Sequence, residues 1–190
     1  MNILAIETSC DETALAVLSV TGLLRPTFTV RAHQIASQAD LHAQYGGVFP
    51  MMAKREHSKN IVPLLLVTLK EAGMLTQTNP IPWTLEEKIR ETLEREPEML
   101  DLFLKEIPNI KKPQIDRIAV TVGPGLAPAL WVGINFARAL SLVWNIPLVP
   151  VNHMEGHVLS ILAPEKHEPF GLAKGIGKYT LLGHTRDDAA

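Results

Sequence analysis

One cysteine is all that this chain of 190 residues contains, so no disulfide can form within it and Cys10 stands alone. Net charge is nearly absent too. The 18 basic residues face 20 acidic ones, a balance that gives no overall field to draw in nucleic acid or an anionic membrane. Long apolar runs are missing: the stretch 61–69 is short and is broken by Pro63, far from the roughly 18–20 uninterrupted residues of a membrane span. The N-terminus has neither a basic n-region nor a long apolar h-region, so the expected setting is cytoplasmic. Two common nucleotide loops are lacking as well, because neither Gly-x-x-x-x-Gly-Lys-Ser/Thr nor Gly-x-Gly-x-x-Gly after a strand occurs. No internal repeat or low-complexity tract is seen.

What is present is enough apolar material for one good core, 46% of the residues. Apolar runs at 2–6, 14–20 and 27–32 predict neighbouring antiparallel strands, with turn chemistry from Thr21-Gly22 and Arg25-Pro26. Ile61, Leu64, Leu65 and Leu69 predict a helix over 50–72 that stops at Gly73 and is kinked or interrupted at Pro63. The segment 75–112 changes character and reads as a two-helix insertion packed on one side. Thr84 with Glu87 forms a capping box ahead of Leu85, Ile89 and Leu93, and Glu96-Pro97 starts a second helix carrying Leu100, Phe103, Leu104 and Ile107. A buried strand at 115–122, the Gly123-Pro124-Gly125 break, a helix at 128–144 and a strand at 146–151 make an α/β unit. The fold class is therefore α/β, a mixed sheet with helices against it.

The chemistry concentrates in two places. His153 and His157 follow the last strand at a spacing of i and i+4, which on a helix brings their Cβ atoms to roughly 5–6 Å and lets both imidazoles reach one metal ion. Two polar surface residues are the plainer alternative. A closed site needs a further ligand, such as a carboxylate from elsewhere. Glu155 lies about 200° round the helix from His153, which disfavours the zincin protease arrangement. At the other place, Asp11 and Glu12 follow the first strand. They are either ordinary turn residues or carboxylates that hold a metal, a water or a metal-bound phosphate. Cys10 beside them reads as packing rather than as a nucleophile, and His33, His42 and His57 lack metal-like spacing, His42 and His57 reading as solvated loop residues. The glycine turn either presents N–H groups to a phosphate or only turns the chain. Met51-Met52, Trp131 and Trp144 read as core or interface.

Four motifs occur in order: Ile-Glu-Thr-Ser-Cys-Asp-Glu-Thr at 6–13, His-Ala-Gln-Tyr-Gly-Gly-Val-Phe-Pro at 42–50, Val-Thr-Val-Gly-Pro-Gly at 120–125 and Asn-His-Met-Glu-Gly-His at 152–157. Together they resemble the TsaD family, also called Gcp and formerly labelled O-sialoglycoprotein endopeptidase. The likeness covers most of 1–74 and 115–163, and again 175–190. It implies the actin-like ATPase fold, with this chain supplying mainly the first lobe over 1–163 and the start of a truncated second lobe over 164–190. It implies transfer of a threonylcarbamoyl group from threonylcarbamoyl-adenylate to the tRNA adenosine beside the anticodon. By the resemblance His153 and His157 are two ligands of a divalent metal, iron or zinc, and Asp11 and Glu12 are catalytic carboxylates near the adenylate and its phosphate.

The family's Ser-Gly-Gly-His-Thr motif is missing, since Glu168-Pro169-Phe170 runs almost directly into Gly171-Leu172-Ala173. The second lobe of the family lies past Ala190, so weak or no activity is expected of the chain alone. The implied partners are a TsaB-like paralogue, a small ATPase and tRNA, with dimer contacts through first-lobe helices. The alternative is a non-catalytic TsaB-like scaffold, which has no need of the histidine pair. A sugar kinase of the same superfamily and a peptidase rank below both.

Overall fold

Alternation builds the sheet. In β1 (Asn2–Glu7) Leu4 and Ile6 are buried, in β2 (Glu12–Thr21) Leu15 and Val17, and in β4 (Arg117–Gly123) Ile118 and Val120, so one face of each strand is apolar and inward. The computed structural model describes residues 1–22, 26–78 and 85–160, with the backbone of Lys178–Thr180. β3 is Thr27–Ser37, β5 Leu148–Asn152 and β6 Lys178–Thr180, and the strands lie in the order β5-β4-β1-β2-β3-β6. β1, β2 and β3 are antiparallel neighbours, whereas β4 and β5 run parallel to β1. This is the mixed sheet with helices against it of the expected α/β class. β3 runs five residues past its expected end, because the ladder with β2 continues beyond the irregularity at Val17/Leu18 down to Glu12 and Ser37.

Two long helices cover the inward face. α1 (Ala39–Ala43) is a short turn before α2 (Pro50–Glu71), and α5 (Ala127–Trp144) links β4 to β5. Ile61, Leu65 and Leu69 of α2 and Val132, Phe136 and Leu140 of α5 are wholly buried with the strand residues in one core. Burial of each such side chain stabilises the fold by about 1.5–3 kcal/mol. α2 runs unbroken through Pro63, contrary to the expected interruption. Pro63 is on the exposed side, where the Lys59 carbonyl it leaves without a partner can meet water, while Ile61, Val62 and Leu65 anchor both halves. The stop is as expected: Gly73 has φ 69°, its N–H donates to the Lys70 carbonyl at 3.1 Å, and that of Met74 to Leu69 at 2.8 Å, a Schellman ending.

α3 (Glu86–Thr92) and α4 (Pro97–Glu106), followed by a 3-10 turn at Ile107–Asn109, pack on the outer side of α2 and α5. Ile89, Leu93, Met99 and Phe103 are buried, and Phe103 meets Phe136 edge to face at 5.9 Å. Glu96, 2% exposed, accepts from Asn135 Nδ2 at 3.1 Å and pairs with Lys54 at 3.4 Å, tying this helical pair to both α2 and α5. Thr84 of the expected capping box lies outside the described residues, and the described start of α3, at Leu85, has no side-chain cap. α5 is the one described helix long and apolar enough to cross a membrane, yet more than half of it is buried inside the fold, where its apolarity serves the core.

Candidate functional site

The parallel strands β1, β4 and β5 end on the same side, and that is where the polar residues gather. Alternation turns Glu7 and Thr121 to the face away from α2 and α5, one step beyond the paired Ile6 and Val120. The Thr121 hydroxyl donates to the Glu7 carboxylate, and the Ser9 backbone N–H donates to its other oxygen at 2.5 Å. Burial pushes the Glu7 carboxyl up, but the bonds from Ser9 and Thr121 outweigh it, and the group stays below the ordinary carboxylate range as an anion. At the end of β5, Asn152 caps α6 (His153–Ser160): its Oδ1 accepts from the N–H of Met154 at 2.9 Å and of Glu155 at 3.2 Å.

That cap sets His153 and His157 on one helical face, as their spacing predicts. The two Nε2 atoms are 2.9 Å apart and the rings are perpendicular, with centroids 4.4 Å apart. On its other side the His153 ring meets Ser9 Oγ at 3.2 Å and the Glu7 carboxylate at 3.5 Å, both at Nδ1. An anionic acceptor there favours the proton on Nδ1 and leaves the Nε2 lone pair for the space shared with His157. A carboxylate or hydroxyl behind the outer nitrogen is the support that metal-binding imidazoles ordinarily have. The donor set thus fits a divalent ion, which would displace the proton that the two nitrogens share. Among the described residues no third His, Cys, Asp or Glu joins the pair, so a further ligand is still to be supplied.

Asp11 stands in the turn between β1 and β2 and Glu12 is the first residue of β2; neither is brought to the histidines as a ligand. Asp11 is half-buried, and its carbonyl accepts from the Gln38 N–H at 2.9 Å; Glu12 is exposed and opposite Ser37. Cys10 is exposed, which corrects the packing reading: β1 ends at Glu7, and the thiol falls in the turn rather than in the core. What burial it has, together with the hydrogen bond to the Asp11 carboxylate, pushes the thiol above its ordinary range, so it is a poor nucleophile at neutral pH.

The glycine turn serves close packing. A Cβ at Gly125 would lie 2.7 Å from the Ser9 carbonyl oxygen, and that oxygen takes the Leu126 N–H at 2.8 Å. The turn therefore locks the start of α5 onto the residue that supports His153. Trp144 is buried in the core, whereas Trp131 and Met51 are exposed.

His42 and His57 are not solvated loop residues. They lie on α1 and α2 and are 2% and 0% exposed, because each ring is satisfied by buried partners. The signal for His57 is in the sequence: the apolar stripe Leu69, Leu65, Ile61 extends by fours to His57 and Ala53, all buried. Glu7 and Ser9 were equally open to detection as polar residues directly following the apolar run of β1.

The family profile described as TsaD, tRNA N6-adenosine threonylcarbamoyltransferase, matches residues 29–78 and 86–190. Among solved structures, YeaZ from Pseudomonas aeruginosa is 17% identical with a TM-score of 0.41, over 80% of this chain and 43% of that one. The Thermus thermophilus RuvC structure is 12% identical with a TM-score of 0.40, over 85% of this chain and 69% of that one. The chain thus spans less than half the length of the YeaZ chain that it matches. With a profile that matches most of its length, the chain belongs to the TsaD family of tRNA N6-adenosine threonylcarbamoyltransferases.

Proposed function

We propose that the chain carries the acyl-transfer half-site for tRNA threonylcarbamoylation, with threonylcarbamoyl-adenylate as donor and the exocyclic amine of the adenosine beside the anticodon as acceptor. In this reaction the amine nitrogen bonds to the carbamoyl carbon, and the bond from that carbon to the adenylate phosphate oxygen breaks. AMP leaves with the electron pair, and the amine's proton passes to a base. The observation that carries the reading is the convergence of His153 and His157 Nε2 with Glu7 and Ser9 behind Nδ1.

His153 and His157 are the residues that would hold iron or zinc. Such an ion supplies Lewis-acid stabilisation of charge developing on carbonyl or phosphate oxygens. Asp11, in the neighbouring turn, and Glu12, at the start of β2, are the carboxylates for the adenylate side, and Asp11 is the more sheltered of the two. tRNA, a TsaB-like paralogue and a small ATPase are the partners, in the cytoplasm, and the first-lobe helices are the dimer contact.

The test is elemental analysis of the purified chain beside a His153→Ala, His157→Ala double variant, followed by transfer to tRNA with the partner subunits added. Near-stoichiometric metal, lost in the double variant together with tRNA modification, is the expected result. Equal modification by parent and double variant would sink the reading.

A further inference from the structure

A second polar cluster, wholly buried, has no part in the scheme above. It comprises His42, Gln38, His57 and Thr13, none more than 4% exposed. Its donors can be ordered from one end. The Phe49 backbone N–H donates to His42 Nδ1 at 3.4 Å, so the ring proton is on Nε2, which donates to Gln38 Oε1 at 3.0 Å. The other end of that amide, Nε2, donates to His57 Nδ1 at 3.3 Å, where the Thr13 hydroxyl also donates at 2.7 Å. His57 must then carry its proton on Nε2, and this donates to the Cys10 carbonyl at 3.1 Å. The Gln38 backbone N–H holds the next carbonyl, that of Asp11, at 2.9 Å. Both carbonyls of the Cys10–Asp11 turn are therefore gripped by one relay, in which Thr13 and Gln38 share His57 Nδ1 as acceptor.

We propose that His57 is a positioning residue: through its hydrogen bond to Cys10 it fixes the turn that presents Asp11 and Glu12, and it couples that turn through Gln38 and His42 to the start of α2. Burying two imidazoles and an amide costs free energy that an apolar stripe would avoid, and what the relay supplies in return is a single geometry for the turn. The functional part of this inference rests on the reading that Asp11 and Glu12 face the acyl-adenylate.

The experiment compares His57→Gln, which can still donate from Nε2, with His57→Leu, which fills space without a donor, and Thr13→Val, which removes one donor to Nδ1 at constant shape. Amide hydrogen exchange across residues 9–13, metal content and the affinity for threonylcarbamoyl-adenylate are read on the full chain. Loss of one buried hydrogen bond corresponds to about tenfold. His57→Leu is expected to exchange about tenfold faster in this turn and to bind the adenylate about tenfold more weakly, with metal content unchanged. His57→Gln is expected to restore both, and Thr13→Val to shift both in the direction of Leu. Equal losses in Gln and Leu, or parental protection and affinity in Leu, overturn the proposal. If Leu does not fold, parental values in Thr13→Val together with Leu-like instability in Gln overturn it. A parent that binds no adenylate breaks the underlying reading, and the exchange rates still decide whether His57 holds the turn.

Discussion

At the scale of single residues, Glu7 governs the candidate metal site without being a ligand. Its carboxylate is an anion facing His153 Nδ1 at 3.5 Å, and its own geometry is set by Thr121 and Ser9. An acceptor on the outer nitrogen raises the basicity of the ligating one and fixes the ring's tautomer, and loss of such partners typically costs about 10–100-fold in metal affinity. Glu7→Gln keeps the shape and removes the charge, so retention of metal against a competing chelator is expected to fall by about tenfold, the low end of that range. Unchanged retention would mean that Ser9 alone sets the His153 ring. The histidine pair itself was legible from spacing, because i and i+4 on any helix share a face. Glu7 was visible only as a polar residue at the close of an apolar run, and its role depends on β4 lying beside β1, a pairing between residues 114 positions apart.

Among the elements, the glycine turn before α5 shows how packing and site are joined. The Cβ of Gly125→Ala would meet the Ser9 backbone oxygen at 2.7 Å and the Ser9 Cβ at 2.9 Å, and neither is the free end of a flexible chain. The start of α5 or the end of β1 must move, at a cost of about 1–3 kcal/mol, and Ser9 moves away from His153. Gly156→Ala is the control, because nothing lies within 4 Å of a Cβ there, and alanine favours the helix by about 0.5–1 kcal/mol. Thermal melts and metal content are expected to fall together for Gly125→Ala and to hold or rise for Gly156→Ala; the reverse order would separate the turn from the site. The strands and α5 were legible because their periods are regular. Pro63 misled, since what a helix does at proline depends on which side faces water. His57 lies on a buried stripe that the sequence shows, but the partners that satisfy its ring, Thr13 and the Cys10 carbonyl, are brought to it only by the fold, whereas His42 has Gln38 four residues away.

For the molecule as a whole, the buried titratable groups set a common direction with pH. Burial lowers His57 below the ordinary histidine value of 6.5, although Cys10 and the Glu7 and Asp11 charges pull it upward and His42 pushes it further down. Burial likewise lowers His33, against the opposing pull of Glu71 and Glu12. In the unfolded chain both rings take up protons near pH 6.5, while the folded chain binds fewer, so stability falls as pH drops through that value and levels off below the folded pKa values. Glu7 acts in the same sense at lower pH. Its folded value lies below 4.5, so its contribution is present above that pH and is lost as the pH falls through the folded value. Urea midpoints are therefore expected to be highest near neutrality, to decline from pH 7 to 5.5 and to decline again below about pH 4.5. His57→Gln should flatten the first decline in part, leaving the share that belongs to His33. A midpoint that is level or rising between pH 7 and 5.5 would show that the folded protein accepts protons at these histidines. The neutral relay from Phe49 to Cys10 could not then hold as drawn, because a protonated His57 would set its Nδ1–H against the Gln38 amide donor.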